Sequence, residues 1–382
     1  MKTFQFSLLL VMALCPSTLP GQTKPDKDYL VYVLSEAADK ISLVRFGPEG
    51  ARVEQQIEIG DMPVDLDGPH GIVVSADRQF YYVSIAHGRP YGSVWKYSTK
   101  DNTFIGKTSL GHFPATLDVT PDGNFLFVVN FNLHGDMVPS TVSVVSTQMM
   151  TEVARIKTCT MPHGSRLNAA GTRQYSACMM DDMLVEIDTR SMRATRHFIV
   201  TKNKEQGMTG PPNTTSKHSM HGVGHGAEPP KPGDSSCSPT WAEPSIDGSS
   251  IYVACNASSE IVEVSADSWK ILRRIPARAG VYNLEVTRDG QRLIATNKRD
   301  QSVSIYELKS GKELARLPTK RKVLHGVVVS PDDRYAFVTV EGVGSEPGTV
   351  EVIDLTTLKT VAAIDVPPGA AGIDFYKTGL QD

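Results

Sequence analysis

The chain reads as an all-β protein, a seven-bladed β-propeller of four-stranded blades in which strands from both chain ends close the last blade. Three observations predict this. A strand–turn–strand pattern recurs at nearly constant spacing. Each recurrence is followed by two further strand-like runs, and no segment carries helical periodicity.

The first 22 residues, MKTFQFSLLLVMALCPSTLPGQ, hold one lysine, a short apolar run from Phe4 to Leu14, and then small and turn-forming residues. That is the pattern of a secretory signal, too short to span a bilayer. Lipidation of Cys15 is not expected, because Leu14 stands where a small residue is wanted. Residues 23–382 are therefore expected to be secreted or periplasmic and to form the propeller. No later apolar run reaches membrane length. The net charge of −3 and the absence of a basic run exclude nucleic acid as an expected partner. A monomer is expected, and the sequence names neither a small-molecule substrate nor a redox partner.

The repeat begins HGIVVSADRQFYYVS at His70 and ATLDVTPDGNFLFVVN at Ala115, then HGSRLNAAGTRQYSAC at His163 and TWAEPSIDGSSIYVAC at Thr240. It continues as YNLEVTRDGQRLIATN at Tyr282 and HGVVVSPDDRYAFVTV at His325, and AGIDFYKTG at Ala371 stops after one strand. A period near 45 residues with four strand-length runs marks a propeller blade. The third strands read SVWKYST, TVSVVST, MLVEIDT, EIVEVSA, SVSIYEL and TVEVIDL. The incomplete seventh repeat needs three more strands, and YLVYVLSE, ISLVRFG and VEQQIEIG near the N-terminus supply them, leaving no free sheet edge. The one long interval, from His163 to Thr240, holds a His/Met/Gly/Pro-rich insertion at about 202–238 that is expected to be flexible.

The segments TPDGNFLFVVN, SIDGSSIYVACN and TRDGQRLIATN resemble the YVTN-type propellers, whose repeat has the form PDG-x-x-x-YVTN. The resemblance covers essentially all of the chain after the leader. It implies the fold but no single activity, since such propellers include lactonase-like enzymes, haem d1 carriers, the copper-cluster propeller of nitrous oxide reductase and plain binding modules.

Cys159, Cys178, Cys237 and Cys255 make an even count for an oxidising compartment. Cys178 and Cys255 each lie fifteen residues after the first inner-strand position of their repeat, and Cys159 and Cys237 lie just before it. Pairing within a blade, Cys159–Cys178 and Cys237–Cys255, is therefore expected.

The first inner-strand positions are, in register, His70, Ala115, His163, Thr240, Tyr282, His325 and Ala371. Three are histidines, each followed by a glycine expected to let the backbone bend, and they are spaced almost evenly about the axis. Three imidazoles around an open position suit a mononuclear transition-metal site, with copper ahead of zinc given export and the His/Met-rich insertion. A multi-copper cluster is not expected, because the cluster of nitrous oxide reductase takes seven histidines. His87, His134, His218, Met220, His221 and His225 fall on loops of the same rim and are expected to act as accessory ligands or a lid.

Three residues further along, the inner strands carry Asp118, Arg166, Glu243, Glu285 and Asp374, with valine in the other two blades. Charges in such strands must be paired or wet, so these five are expected to line a water-filled channel. The opposite rim, made of tight Asp/Gly turns, reads as plain. No nucleophile elbow, phosphate-binding glycine loop or CxxCH haem motif is present. Two readings follow. One is an exported metalloprotein, with a redox enzyme as one form of it. The other is a metal-free propeller that binds a ligand or protein, or hydrolyses a lactone with the channel carboxylates.

Overall fold

The computed structural model describes residues 24–61, 65–87, 91–212 and 236–379. His218, Met220, His221 and His225 lie outside them, as does the leader. Seven sheets form, each inner strand packed against the next around the ring. The inner strands are Pro69–Val74, Pro114–Val119, Pro162–Leu167, Pro239–Pro244, Val281–Val286, Val323–Val329 and Ala370–Gly379. We number the blades 1 to 7 in that order, with strands a to d running from the axis outward.

Blade 7 is built as the repeat count requires. Ala370–Gly379 pairs antiparallel with Asp28–Ser35, and Lys40–Gly47 and Gly50–Glu58 complete the sheet. Burial explains the sequence pattern of each layer. Strand b, with a strand on either side and a blade on either face, is buried along its length and rich in apolar residues, as in SIYVAC. Strand d alternates, as in KELARLP, because one of its faces is open to water. The turn carboxylates fold the a-to-b hairpins: Asp122 accepts from the Thr120 hydroxyl at 2.6 Å and from Asn124 N–H at 3.0 Å.

Blade 3 departs from the expected four strands. The start of the insertion, Gln206–Thr209, pairs with Arg193–Ile199 as a fifth, outermost strand, so this part of 202–238 has a fixed fold. Both expected disulfides form, Cys159–Cys178 with Cα atoms 5.9 Å apart and Cys237–Cys255 at 4.6 Å. Cys237–Cys255 closes a corner of blade 4 as expected, but Cys159 sits on the outermost strand of blade 2, Thr151–Thr160, so its bond to Cys178 ties blade 2 to blade 3 instead of staying within one blade. Among the described residues no helix is long and apolar enough to cross a membrane.

Neighbouring blades meet in a repeated way at the axis. A side chain of one blade donates to the carbonyl of the first inner-strand residue of the next. Ser84 Oγ reaches Ala115 O at 2.6 Å, Thr240 Oγ1 reaches Tyr282 O at 2.8 Å and Thr339 Oγ1 reaches Ala371 O at 2.6 Å. Thr116 does the same to His163, His163 Nδ1 to Thr240 at 3.1 Å, and Thr296 to His325 at 3.4 Å. The glycines after the histidines belong to this seam rather than to a bend. None of Gly71, Gly164, Gly326 and Gly372 has a positive φ. A Cβ on any of them would sit no farther than 3.0 Å from a carbonyl oxygen of the adjoining inner strand.

Two stability predictions follow from these contacts. Gly164→Ala should lower the unfolding free energy by about 1–3 kcal/mol through overpacking at the seam, as measured by urea titration. Removing either disulfide, which close loops of 19 and 18 residues, should cost about 3 kcal/mol in the same assay.

Candidate active site

The axis is lined by two chemically different layers with a small cavity between them. At the end bearing the b-to-c loops, the three in-register histidines do converge. The His70 ring centroid lies 5.1 Å from that of His325 and 6.1 Å from that of His163. Their nitrogens, however, face different partners. His163 Nδ1 is given to Thr240 O, and Tyr282 O–H donates to its Nε2 at 2.9 Å. With both nitrogens engaged and the ring buried, His163 is held neutral, its pKa pushed down to about 3. His325 is likewise pushed well below the ordinary histidine range by burial, with Lys298 adding to the effect.

His70 is different. Its Nδ1 meets Glu36 Oε2 at 3.0 Å, and the other oxygen of Glu36 meets His87 Nε2 at 3.1 Å. Burial alone would raise the Glu36 carboxyl, yet His70 and His87 hold it below its usual range. An ionised carboxylate can only accept, so Nδ1 of His70 carries the proton. Nε2 of His70 is buried with no hydrogen-bond partner.

These engagements bear on the expected metal site. Among the described residues no group of three or more His, Cys, Asp or Glu is arranged to hold a metal ion. The shared ion expected at His70, His163 and His325 would require His163 to give up Tyr282. His87 and His134 lie 5.7 Å apart by ring centroid and both pack on Phe113, which also touches His70, so His87 reaches the axial histidines through Phe113 and Glu36.

The repeat also places a second ring here that the sequence reading missed. At the outer end of strand b, in register, stand Ala86, Phe131, Met179, Asn256, Lys298, Glu341 and Glu36, each one position beyond the strand except Glu341, which is its last residue. Blades 1–3 thus present an apolar edge and blades 5–7 a charged one. Lys298 lies 3.6 Å from the Tyr282 ring centroid, and burial brings its pKa down to about 8. Aligning the ends of the second strands, as the starts of the first were aligned, would have found this ring.

At the other end the expected channel residues come together. A pocket of about 300 Å³ opens on the rim of tight turns and is lined by Asp118, Arg166, Glu285 and Asp374 with Leu117, Val328 and Ile373 among its apolar walls. The rim that reads as plain therefore holds the axial pocket, because short turns leave its mouth uncovered. Glu243 stands behind the pocket, 3.8 Å from Arg166 Nε, and the Arg166 guanidinium lies 4.6 Å from the Trp241 ring centroid.

The four carboxylates have unequal duties. Asp118 accepts from Leu167 N–H at 2.9 Å and Asp374 from Val74 N–H at 2.6 Å, each tying its blade to the next. Glu285 makes no hydrogen bond among the described residues. Burial pushes its pKa up to about 7 despite Arg166, and Asp374 up to about 6. Burial raises Asp118 and Glu243 as well, Glu285 adding to the effect on Glu243. One guanidinium among four carboxyl groups therefore keeps its proton, and the cluster holds further protons near neutral pH.

Between the layers is a cavity of about 30 Å³ lined by His70, Asn283, His325, Trp241 and Arg166 among others. Arg166 borders both this cavity and the larger pocket.

Comparison with known proteins agrees with this architecture. Residues 22–135 match the family described as "Lactonase, 7-bladed beta-propeller". No curated protein matches. Among solved structures, hydrazine synthase of Kuenenia stuttgartiensis is 20% identical, covering 83% of this chain and 92% of that one with a TM-score of 0.60. The periplasmic gluconolactonase of Pseudomonas aeruginosa is 15% identical over 91% of this chain and 99% of its own, with a TM-score of 0.67. A putative 6-phosphogluconolactonase from Bacteroides uniformis is 15% identical over 92% and 99%, with a TM-score of 0.64.

The neutral histidines set an acid limit on stability. An unfolded histidine binds a proton below about pH 6.5, whereas native His163 does so only near pH 3. Stability should therefore fall as pH drops below 6.5, by about 1.4 kcal/mol per pH unit for each such histidine. Urea unfolding at pH 7 and pH 5.5 should show a shallower loss in His325→Gln than in the unaltered protein. With residues 22–135 carrying the lactonase-propeller pattern, the chain is a seven-bladed β-propeller similar in fold to gluconolactonases.

Proposed function

We propose that the protein hydrolyses a small lactone in the pocket beside Arg166. The observation that carries this reading is Glu285, a carboxyl without a hydrogen-bond partner among the described residues and with its pKa raised by burial to about 7, set against a guanidinium in an axial pocket of about 300 Å³. The pocket volume suits a monocyclic lactone. Likeness to a gluconolactonase fold and the family pattern at residues 22–135 support the same chemistry.

In this reading water adds to the lactone carbonyl, and the developing oxyanion is stabilised by the Arg166 N–H groups. The ring C–O bond then breaks, and the departing ring oxygen takes the proton of Glu285. The product is a hydroxy acid, so atoms balance with one water consumed. Trp241 and Glu243 hold the guanidinium in place. Asp118 and Asp374 keep the pocket walls at fixed spacing through their bonds to neighbouring blades.

We also infer export, on the leader-like first 22 residues and the two disulfides, which suit an oxidising compartment. Metal analysis of protein purified from its native compartment separates this reading from the copper one: stoichiometric copper that is lost in His70→Ala would favour the metalloprotein.

A panel of γ- and δ-lactones, beginning with δ-gluconolactone, tests the activity by titrating the acid released. Arg166→Gln should lower kcat by about 10²–10³-fold. Glu285 acts in its protonated form, so kcat/KM should fall as pH rises through about 7. Asp118, Asp374, Glu243, Arg166 and Arg288 are the charged groups that act on it. Glu285→Gln should remove that alkaline limb. A limb that persists in the variant, or an Arg166→Gln protein as active as its parent, sinks the proposal.

A further inference from the structure

The small axial cavity is lined by two residues that each carry a buried hydrogen-bond acceptor with no partner among the described residues. The acceptors are Nε2 of His70 and Oδ1 of Asn283, on residues only 7% and 3% exposed. Both residues line the same cavity of about 30 Å³, and Arg166 forms part of its wall toward the lactone pocket. A buried acceptor left without a donor costs about 1–3 kcal/mol, and two in one cavity call for a common donor. The space admits one or two waters.

One water meets this requirement in a particular orientation. It has two O–H groups, and the two acceptors take one each. Its lone pairs are then turned away from His70 and Asn283 into the remaining space, which Arg166 borders. This orients the oxygen as a nucleophile toward a carbonyl bound at the guanidinium.

His70 can also receive a proton from such a water. Its Nδ1–H is held by the ionised Glu36 at 3.0 Å, which fixes the tautomer with the Nε2 lone pair facing the cavity. The cation formed when Nε2 takes a proton is countered by the same carboxylate. His163 cannot serve, since Tyr282 occupies its Nε2.

The geometry points to His70 as the general base and Asn283 as the orienting group for the hydrolytic water, which enters the reaction from the axial cavity rather than from bulk solvent. This assignment rests on the lactonase reading above. When the pocket is filled by substrate, bulk water is excluded from that side, and the cavity becomes the source. In the step itself the water oxygen bonds to the carbonyl carbon as one O–H proton passes to His70 Nε2. The C=O electron pair moves to the oxygen facing Arg166. Collapse of that intermediate breaks the ring C–O bond, with the proton for the ring oxygen coming from Glu285. On product release, water re-entering the cavity and the pocket carries the proton from His70 Nε2 past Arg166 to the Glu285 carboxylate, which restores both groups, while Nδ1–H stays on Glu36.

The test joins kinetics, binding and crystallography on the full chain. With δ-gluconolactone as substrate, His70→Gln should lower kcat by about 10²-fold or more, and Asn283→Ala by about 10-fold, with KM unchanged in both. Calorimetric binding of gluconolactam, the amide analogue, should stay within about twofold of the unaltered protein in both variants, which also shows that the pocket is folded. Asn283→Asp, which keeps an oxygen acceptor, should recover most of the rate lost in Asn283→Ala. A crystal structure should show a water within hydrogen-bond distance of both His70 Nε2 and Asn283 Oδ1. Full activity in His70→Gln, or a cavity without that bridging water, overturns the assignment while leaving lactone hydrolysis intact. If no lactone is hydrolysed, the lactonase reading fails, and the His70 and Asn283 catalytic roles fail with it even where the bridging water is seen.

Discussion

The close approach of neighbouring inner strands is the constraint on which the rest of this structure depends. Seven sheets share one axis by bringing each inner strand close against the next, and at four of the seven seams no side chain stands between them. Glycine supplies the missing Cβ at Gly71, Gly164, Gly326 and Gly372. A hydroxyl or imidazole then binds the carbonyl that this proximity buries. His163 shows how far the seam reaches into chemistry, because the hydrogen bond that joins blade 3 to blade 4 also sets its tautomer. The same is true of Asp118 and Asp374, whose raised pKa values coexist with structural duties to the next blade. Residues that face the axis are seldom free to serve a ligand, and the few that are stand out. Glu285, Asn283 and one nitrogen of His70 are such groups.

Fold and site differed in how far they could be read from residues. Period and turn chemistry define blade number and closure, since a repeat that stops after one strand at Ala371 has only one place to find its remaining three. Disulfide pairing was legible for the same reason: register puts Cys178 and Cys255 at equivalent corners, each next to a cysteine that precedes its own inner strand. The channel charges were legible as a set. Their division of labour was not, because a one-dimensional pattern shows which side chains face the axis and not what their second oxygen or nitrogen touches. This is why three histidines in register suggested a common ion. Nothing in the string HG indicates that Tyr282, from a different blade, takes up the Nε2 of His163.

Two further features escaped the sequence for physical reasons. Tight turns were read as a featureless rim, yet a short turn shields little and leaves the pocket beside Arg166 open. Gln206–Thr209 has a single β-branched residue, Thr209, and no aromatic, because an outermost strand needs only backbone pairing and one covered face. Gly207 packs against Trp269 of blade 4 there, so the strand also extends the contact between blades.

Closure of blade 7 by strands from opposite ends of the repeat couples the axial pocket to the joining of the ring. During synthesis the strands from Asp28 to Glu58 emerge before the other six blades, with the inner edge of Asp28–Ser35 unpaired until Ala370–Gly379 arrives. That strand brings Asp374, which both walls the pocket and bonds to Val74 of blade 1. A nascent chain therefore has neither a closed ring nor a finished pocket until the intervening blades and Ala370–Gly379 have been made. Formation of the pocket is thus tied to a loop closure that spans the whole ring. For an exported chain this would leave the pocket unformed while the protein is still being translocated.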